Sequence, residues 1–270
     1  MASSQEALSR RWTQLCRSQQ LARRAAVKRA ERNYMDALKA KIPDKAREKL
    51  EWAFCKGFAA VFDYGDGIID MTYAKDKERR RFIARDLGFV MDGSSPALSS
   101  FEASGNLSDG LNMLLTTVEG VGLGALGIGM PDIVLFVAML LRGVREAAAQ
   151  YGRASDSGEE QLLTLCMLEA AMLSGKEWEE KDALVERMLA CPGDFPMTPE
   201  TAEAQFERTA AAFATDLLVL KFVQGLPIVG LVGGLSNPVY YRRVMSYVRL
   251  KFERAYILDA MRREKEKEQS

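Results

Sequence analysis

The spacing of apolar residues restricts the fold of this chain more than any other feature. Leu50, Phe54 and Phe58 recur at intervals of four residues, which places them on one face of an α-helix. Similar spacing recurs along the 270 residues, and no segment shows the sustained alternation of apolar and polar residues that is typical of a β-strand. The sequence therefore predicts an all-α fold.

Two glycine-rich apolar stretches, residues 120–141 and 226–238, stand out from the amphipathic segments. Glycines lie four residues apart in each, at Gly120 and Gly124 in the first and at Gly230 and Gly234 in the second, and such spacing allows helices to approach closely. We expect each stretch to form a buried helical hairpin, and residues 120–129 to pack against residues 225–234.

The first stretch is long enough to span a bilayer, which needs about 20 apolar residues. However, Asp132 lies near its centre, where a charge costs about 2.5–3.5 kcal/mol on insertion scales. A buried hairpin is therefore favoured over a span, and a hairpin that enters the membrane interface stays open as an alternative.

Residues 1–41 form a basic arm with ten basic and three acidic residues, a net charge of +7 in a chain that is neutral as a whole. Trp12, Leu15, Ala22 and Ala26 lie along one helical face. This pattern predicts a basic amphipathic helix that packs on its own domain, on an anionic bilayer or on an acidic partner, and packing on its own domain is favoured. The candidate membrane or partner contacts are Arg10, Arg11, Arg17, Arg23, Arg24, Lys28 and Arg29.

Residues 42–262 then form the main helical domain, and residues 263–270 a charged tail. Ser157 and Glu160 form a plausible capping box, and Thr198 followed by Pro199 marks another helix start. In the last helix, the pattern places Tyr241, Val244, Val248, Phe252 and Ala255 inward and Arg242, Arg249 and Glu253 outward.

Several kinds of chemistry are excluded or disfavoured by composition. Histidine is absent, which excludes Ser-His-Asp and Cys-His catalysis and every histidine metal site. The four cysteines form no CxxC pair, and we expect reduced thiols. Gly122, Gly124 and Gly127 match GxGxxG but follow no predicted strand, so we do not expect a dinucleotide site. We expect no other cofactor. Zero net charge disfavours nucleic acid as a partner, and we expect no metal site.

Four carboxylates lie in apolar surroundings, where an unpaired charge is costly: Glu119, Asp132, Glu169 and Asp216. Asp132 is expected in the first turn of its helix, where the helix dipole favours an anion. The four form a candidate polar site. Structural hydrogen bonding is the favoured interpretation, and acid–base chemistry by carboxylates stays open.

The segment from Thr117 to Ile133, with its Val-Glu-Gly, its string of glycines and its Pro-Asp, resembles the hallmark of the EcsC family. Shorter similar segments follow as far as Met172. Residues 225–230, with Gly233, Gly234 and Asn237, resemble a second hallmark. The resemblance covers about residues 45–258 and leaves the basic arm outside.

The family takes its name from a protein encoded beside an ABC transporter of bacteria, and the resemblance implies no catalytic residue. The leading hypothesis is a non-enzymatic cytoplasmic accessory protein that acts at the inner face of the membrane. Its partner there would be anionic lipid or a membrane-bound protein such as an ABC transporter. An enzyme of unknown class that uses the buried carboxylates, and a purely soluble helical scaffold, are the alternatives.

Overall fold

In the computed structural model, the described part of the chain consists of α-helices and their connections. Within it there are seven helices and no β-strand, which confirms the all-α prediction. The described residues are 4–30, 42–72, 82–83, 86, 131–153, 157–191, 193–196, 198–223 and 238–269.

The helices pack around one hydrophobic core. Their bounds are α1 Ser4–Ala30, α2 Asp44–Thr72, α3 Pro131–Gln150, α4 Gly158–Met172, α5 Gly175–Ala190, α6 Pro199–Val223 and α7 Pro238–Gln269. Helix α2 packs against α6 and α3, and α6 also packs against α4. Helix α7 contacts α3, α4 and α5, while α1 lies against α5 and α7.

Phenylalanine rings from three helices meet in the centre of this core. The ring centroid of Phe213 on α6 lies 5.5 Å from that of Phe54 and 5.8 Å from that of Phe58, both on α2. Phe136 on α3 approaches the same ring at 6.1 Å. The four-residue spacing of Phe54 and Phe58 places both rings on the buried face of α2, as the sequence predicts.

Side-chain caps fix two helix starts close to where the sequence predicts them. The hydroxyl of Thr198 accepts a hydrogen bond from the backbone N–H of Thr201 at 3.2 Å, and α6 begins at Pro199. Ser157 accepts likewise from the N–H of Glu160 at 3.3 Å. The carboxylate of Glu160 forms an ion pair with Arg153 at 2.9 Å, and these two contacts define the start of α4.

The outward prediction for Glu253 on α7 is wrong. Glu253 is only 9% exposed, because α1 covers this side of α7 and the guanidinium of Arg11 forms an ion pair with its carboxylate. Four of the five residues that were predicted to face inward are buried: Val244, Val248, Phe252 and Ala255. The fifth, Tyr241, is partly buried.

The two glycine-rich stretches fall largely outside the described residues, and so does the predicted contact between residues 120–129 and 225–234. Residues 131–141 of the first stretch belong to α3. In the part of the chain that is described, no helix combines the length and the apolar character that crossing a membrane requires.

Candidate functional site

Helix α1 lies on the body of the protein with its apolar side inward. Leu8, Leu15 and Ala26 are buried, and Trp12 and Ala22 pack against the core at its edge. The favoured interpretation of the basic arm, a helix that packs on its own domain, therefore holds for residues 4–30.

A buried polar network joins α1 to α5 and α7. The ammonium of Lys251 on α7 lies 2.7 Å from a carboxylate oxygen of Asp182 and 2.6 Å from one of Glu186, both on α5. The side-chain amide of Gln19 on α1 donates to the other oxygen of Asp182 at 2.7 Å. The hydroxyl of Tyr247 also donates to Asp182, at 2.7 Å. The charges under α1 are thus closely paired.

Arg254 extends this network to the aromatic side of α1. Its Nε lies 3.1 Å from Glu186, and its guanidinium carbon lies 4.6 Å from the centre of the Trp12 ring, a cation–π arrangement. Burial raises the pKa of Glu186, but Lys251 and Arg254 outweigh burial and hold the pKa below its ordinary value. Glu186 is therefore ionised at neutral pH.

The structure divides the seven candidate cations of the basic arm into two groups. Three of them contact the body: Arg11 pairs with Glu253, Arg23 pairs with Glu179 at 2.8 Å, and Arg29 donates to the carbonyl oxygen of Leu173 at 2.8 Å. The other four are exposed, namely Arg10, Arg17, Arg24 and Lys28. Of these four, Arg10 lies 3.6 Å from Glu6 on its own helix.

Arg17, Leu21, Arg24 and Lys28 recur at intervals of four, three and four residues, so they share one side of α1. We call these four residues the basic face of α1. Leu21 is 63% exposed, the highest value among the exposed large apolar residues of the described chain. Within the described residues, no carboxylate pairs with Arg17, Arg24 or Lys28, so this face presents three uncompensated positive charges around one apolar side chain.

Two of the four candidate carboxylates, Glu169 and Asp216, line one cavity of about 950 Å³. Glu169 is buried on α4, where it lies 2.7 Å from the ammonium of Lys181 and accepts from the amide of Gln205 at 2.6 Å. Asp216 on α6 lies 2.8 Å from the guanidinium of Arg243. Each carboxylate is thus held by a cation from another helix, as expected for structural ion pairs.

The other two candidate carboxylates are Glu119 and Asp132, and Glu119 lies outside the described residues. Asp132 is the second residue of α3 and lies in its first turn, as predicted. The side chain of Asp132 is not among those described. Among the described side chains, no group of three or more cysteine or acidic residues is arranged to hold a metal ion.

A model of the EcsC protein family matches residues 9–255. This chain belongs to the EcsC family. The match begins inside α1, whereas the resemblance in the sequence covers about residues 45–258 and leaves the basic arm outside. Helix α1 packs with the other helices, because Leu8 and Leu15 lie in the common core. Comparison with curated proteins and with solved structures gives no match.

In this EcsC family protein, the sequence does not identify which cations pair with the carboxylates. Lys181 and Arg243 lie among other charged residues of their helices, and the local pattern does not distinguish them from exposed cations. Gln205 and Thr209 can be noticed in the sequence as two polar residues four positions apart on α6. In the structure both side chains are fully buried. The Gln205 amide donates to Thr209 at 3.0 Å as well as to Glu169, so this pair marks a buried polar site.

Proposed function

We propose that this EcsC family protein is a non-enzymatic accessory protein that binds an anionic membrane surface through the basic face of α1. The observation that supports the proposal is the arrangement of Arg17, Leu21, Arg24 and Lys28, which point away from the body of the protein. Interfacial helices combine cations with apolar side chains in this way.

The energetics of such a contact are modest and additive. Each Lys or Arg near an anionic surface contributes about 1 kcal/mol, so three unpaired cations contribute about 3 kcal/mol. Leu21 adds the burial of an apolar side chain, which is worth about 1.5–3 kcal/mol when complete. Because the opposite side of α1 is fixed to the body, the helix is already folded before it meets the membrane, and no folding cost opposes binding.

The proposed location follows from the charge of the lipid. The cytoplasmic leaflet carries the anionic lipids that attract basic segments, so the protein would act in the cytoplasm at the inner face of the membrane. An acidic surface of a membrane-bound protein, such as an ABC transporter, is the competing partner, and vesicles with and without membrane protein distinguish the two.

Vesicle flotation tests the proposal. The intact protein should float with vesicles that contain phosphatidylglycerol and not with pure phosphatidylcholine vesicles, and binding should fall as salt rises, because the Debye length shortens. The triple variant Arg17→Gln, Arg24→Gln, Lys28→Gln should lose most of this binding.

A matched control is available on α2, where Lys45, Lys49 and Lys56 are also exposed. Changing these three lysines to glutamine alters the net charge equally and should leave most of the binding intact. Equal losses in the two triple variants would contradict a specific role for α1. Failure of the intact protein to bind anionic vesicles at low salt would end the lipid proposal, and binding only to vesicles that contain membrane protein would favour the competing partner.

A further inference from the structure

The cavity that Glu169 and Asp216 line is itself a candidate binding site. It lies between the end of α1, the start of α2, the turn from α4 to α5, and the sides of α5 and α6. Its volume of about 950 Å³ falls within the range of about 300–1,000 Å³ that is usual for small-molecule sites.

One part of the cavity wall is apolar. Met172 and Leu173 come from the end of α4, Leu184 comes from α5, and further apolar lining comes from α6. This surface offers an alkyl chain a place to bury its methylene groups, each of which contributes about 0.8 kcal/mol on leaving water. The α6 residues of the wall are Ala211, Ala212 and Val219.

The charged lining has an excess of cations, with six basic and four acidic residues. Most of the acidic charge is already compensated: Glu169 by Lys181, Asp216 by Arg243, and Glu180 by Lys176 at 3.7 Å. Glu177 is exposed at the edge of the cavity.

Three arginines of the lining, Arg29, Arg187 and Arg208, pair with no carboxylate within the described part of the chain. They come from α1, α5 and α6, so three separate helices contribute arginines to the lining of one cavity. The only side-chain acceptor of Arg208 among the described residues is the neutral amide oxygen of Gln205, at 2.9 Å. An anion in the cavity would therefore meet arginines that form no ion pair with a described carboxylate.

Arg29 brings a buried hydrogen-bond donor to this cavity. Its Nη2 donates to the carbonyl oxygen of Leu173, but its buried Nε has no acceptor among the described atoms. Burial and then the charge of Arg243 lower the pKa of Arg29, and the charge of Asp216 offsets only part of this lowering. A further negative charge nearby would therefore stabilise the guanidinium. A buried donor without an acceptor costs free energy until one is supplied.

We propose that this cavity binds one anionic amphiphile, a molecule with a phosphate or carboxylate head and an apolar chain. The guanidinium groups of Arg29, Arg187 and Arg208 hold the head, because the planar fork of arginine matches both kinds of anion. The wall formed by Met172, Leu184 and Ala212 takes the chain.

This site is separate from the basic face of α1 and does not depend on membrane binding. The test therefore uses amphiphiles below their micelle concentration rather than vesicles. Isothermal titration calorimetry with dodecyl phosphate should show saturable binding with one site per chain. Inorganic phosphate, which lacks the chain, and dodecylphosphocholine, which has a compensated head, should each bind at least tenfold more weakly.

Dodecanoate is the second probe, and the tighter of dodecyl phosphate and dodecanoate identifies the preferred head. Binding of neither probe would overturn the proposal. Inorganic phosphate that binds as tightly as dodecyl phosphate would overturn the role of the apolar wall, and dodecylphosphocholine that binds equally would overturn the role of the charge.

Variants then place the site. Arg187→Gln and Arg208→Gln should each weaken dodecyl phosphate binding about tenfold, the loss expected for one charge-assisted hydrogen bond. Both side chains are exposed, so the fold should tolerate the changes. Arg262→Gln, at an exposed arginine on α7 outside the cavity, is the matched control and should bind normally.

Ala212→Phe tests the apolar wall from the opposite direction, because the larger side chain would occupy the space of the alkyl chain. It should abolish dodecyl phosphate binding while the melting temperature shows a folded protein. Equal affinities in Arg187→Gln, Arg208→Gln and Arg262→Gln, or normal binding by a folded Ala212→Phe protein, would show that the amphiphile binds elsewhere and would overturn the assignment.

Discussion

The ammonium of Lys251 lies 2.7 Å from Oδ1 of Asp182, and the lysine side chain is 0% exposed. A buried charge of this kind is tolerated only when a partner and hydrogen bonds replace the lost water. Asp182 is held in turn by Tyr247 and by Gln19, so one pair of charges connects three helices. The attachment of α1 to the body therefore depends on polar contacts as well as on apolar burial.

Lys251→Met should destabilise the protein strongly, because Asp182 and Glu186 would remain under α1 without their main cation. Removing one partner of a buried ion pair typically costs about 3–5 kcal/mol. Urea unfolding should show this loss, and Lys251→Met combined with Asp182→Asn should lose less than the sum of the two single variants. A loss below about 1 kcal/mol, comparable with that of the exposed control Lys45→Met, would contradict the pairing.

The low pKa of Glu186 predicts a specific acid sensitivity. Burial raises this pKa, but the opposing effect of Lys251 and Arg254 is larger, so the pKa lies below the ordinary value of 4.5. A carboxylate whose pKa is lower in the folded state stabilises the fold above its unfolded pKa, and this stabilisation is lost as the pH falls towards the folded value.

Stability measured by urea unfolding should thus fall more steeply between pH 6 and pH 3.5 in the intact protein than in Glu186→Gln. The variant should be the less stable of the two at pH 7, and the difference should shrink in acid. Glu203→Gln, at an exposed position on α6, serves as the control and should follow the intact protein. Parallel curves for Glu186→Gln and the intact protein would show that Glu186 does not contribute.

The helices and several of their ends follow from the sequence, whereas the pairing of Lys251 with Asp182 does not. Apolar periodicity identifies one buried face per helix, but α7 is covered by α3 and α4 and also by α1. Its buried residues therefore extend around most of its circumference and include Lys251 and Glu253. Which charges become buried depends on how helices distant in the chain pack together, and no local pattern records that.

The candidate polar site was likewise predicted only in part. Glu169 and Asp216 attract notice because their neighbours in the sequence are apolar, and both line the cavity. Their cations, Lys181 and Arg243, lie in segments of ordinary charged character. The sequence thus predicts that the two carboxylates lie in an apolar environment. It does not predict which cations pair with them, because that depends on how the helices pack.

Gly57 on α2 should be sensitive to size. A Cβ at this position would lie 3.2 Å from Cγ2 of Ile133 on α3, which is closer than side chains usually approach. Gly57→Leu should therefore overpack the contact between the two helices and cost about 1–3 kcal/mol. Thermal unfolding should detect a fall of several degrees, and Lys56→Leu, on the exposed side of the same turn, should leave the melting temperature nearly unchanged. A Gly57→Leu protein that melts at the normal temperature would contradict the close packing.

The four thiols are free and should differ in reactivity by position. Cys166 is buried, and burial raises its pKa to about 11, so very little thiolate exists at pH 8. Cys191 is exposed after α5. Iodoacetamide followed by peptide mass spectrometry should show Cys191 modified in the native protein and Cys166 modified only in urea. Rapid native alkylation of Cys166 would show that the region between α4 and its neighbours opens readily.

Two leucines on α1 separate the structural role of this helix from its proposed role at the membrane. Leu15 is 4% exposed and lies in the core, whereas Leu21 is 63% exposed on the basic face. Leu15→Ala should cost about 2–5 kcal/mol of stability, as for other buried leucines, with vesicle binding retained while the protein is folded. Leu21→Ala should change stability by less than about 0.5 kcal/mol and should weaken binding to anionic vesicles, because it removes apolar burial from the contact. Urea unfolding and vesicle flotation on the same two proteins measure both effects. A Leu21→Ala protein that floats as well as the intact protein would restrict the contact to charge alone, and a fully stable Leu15→Ala protein would show that α1 is not part of the core.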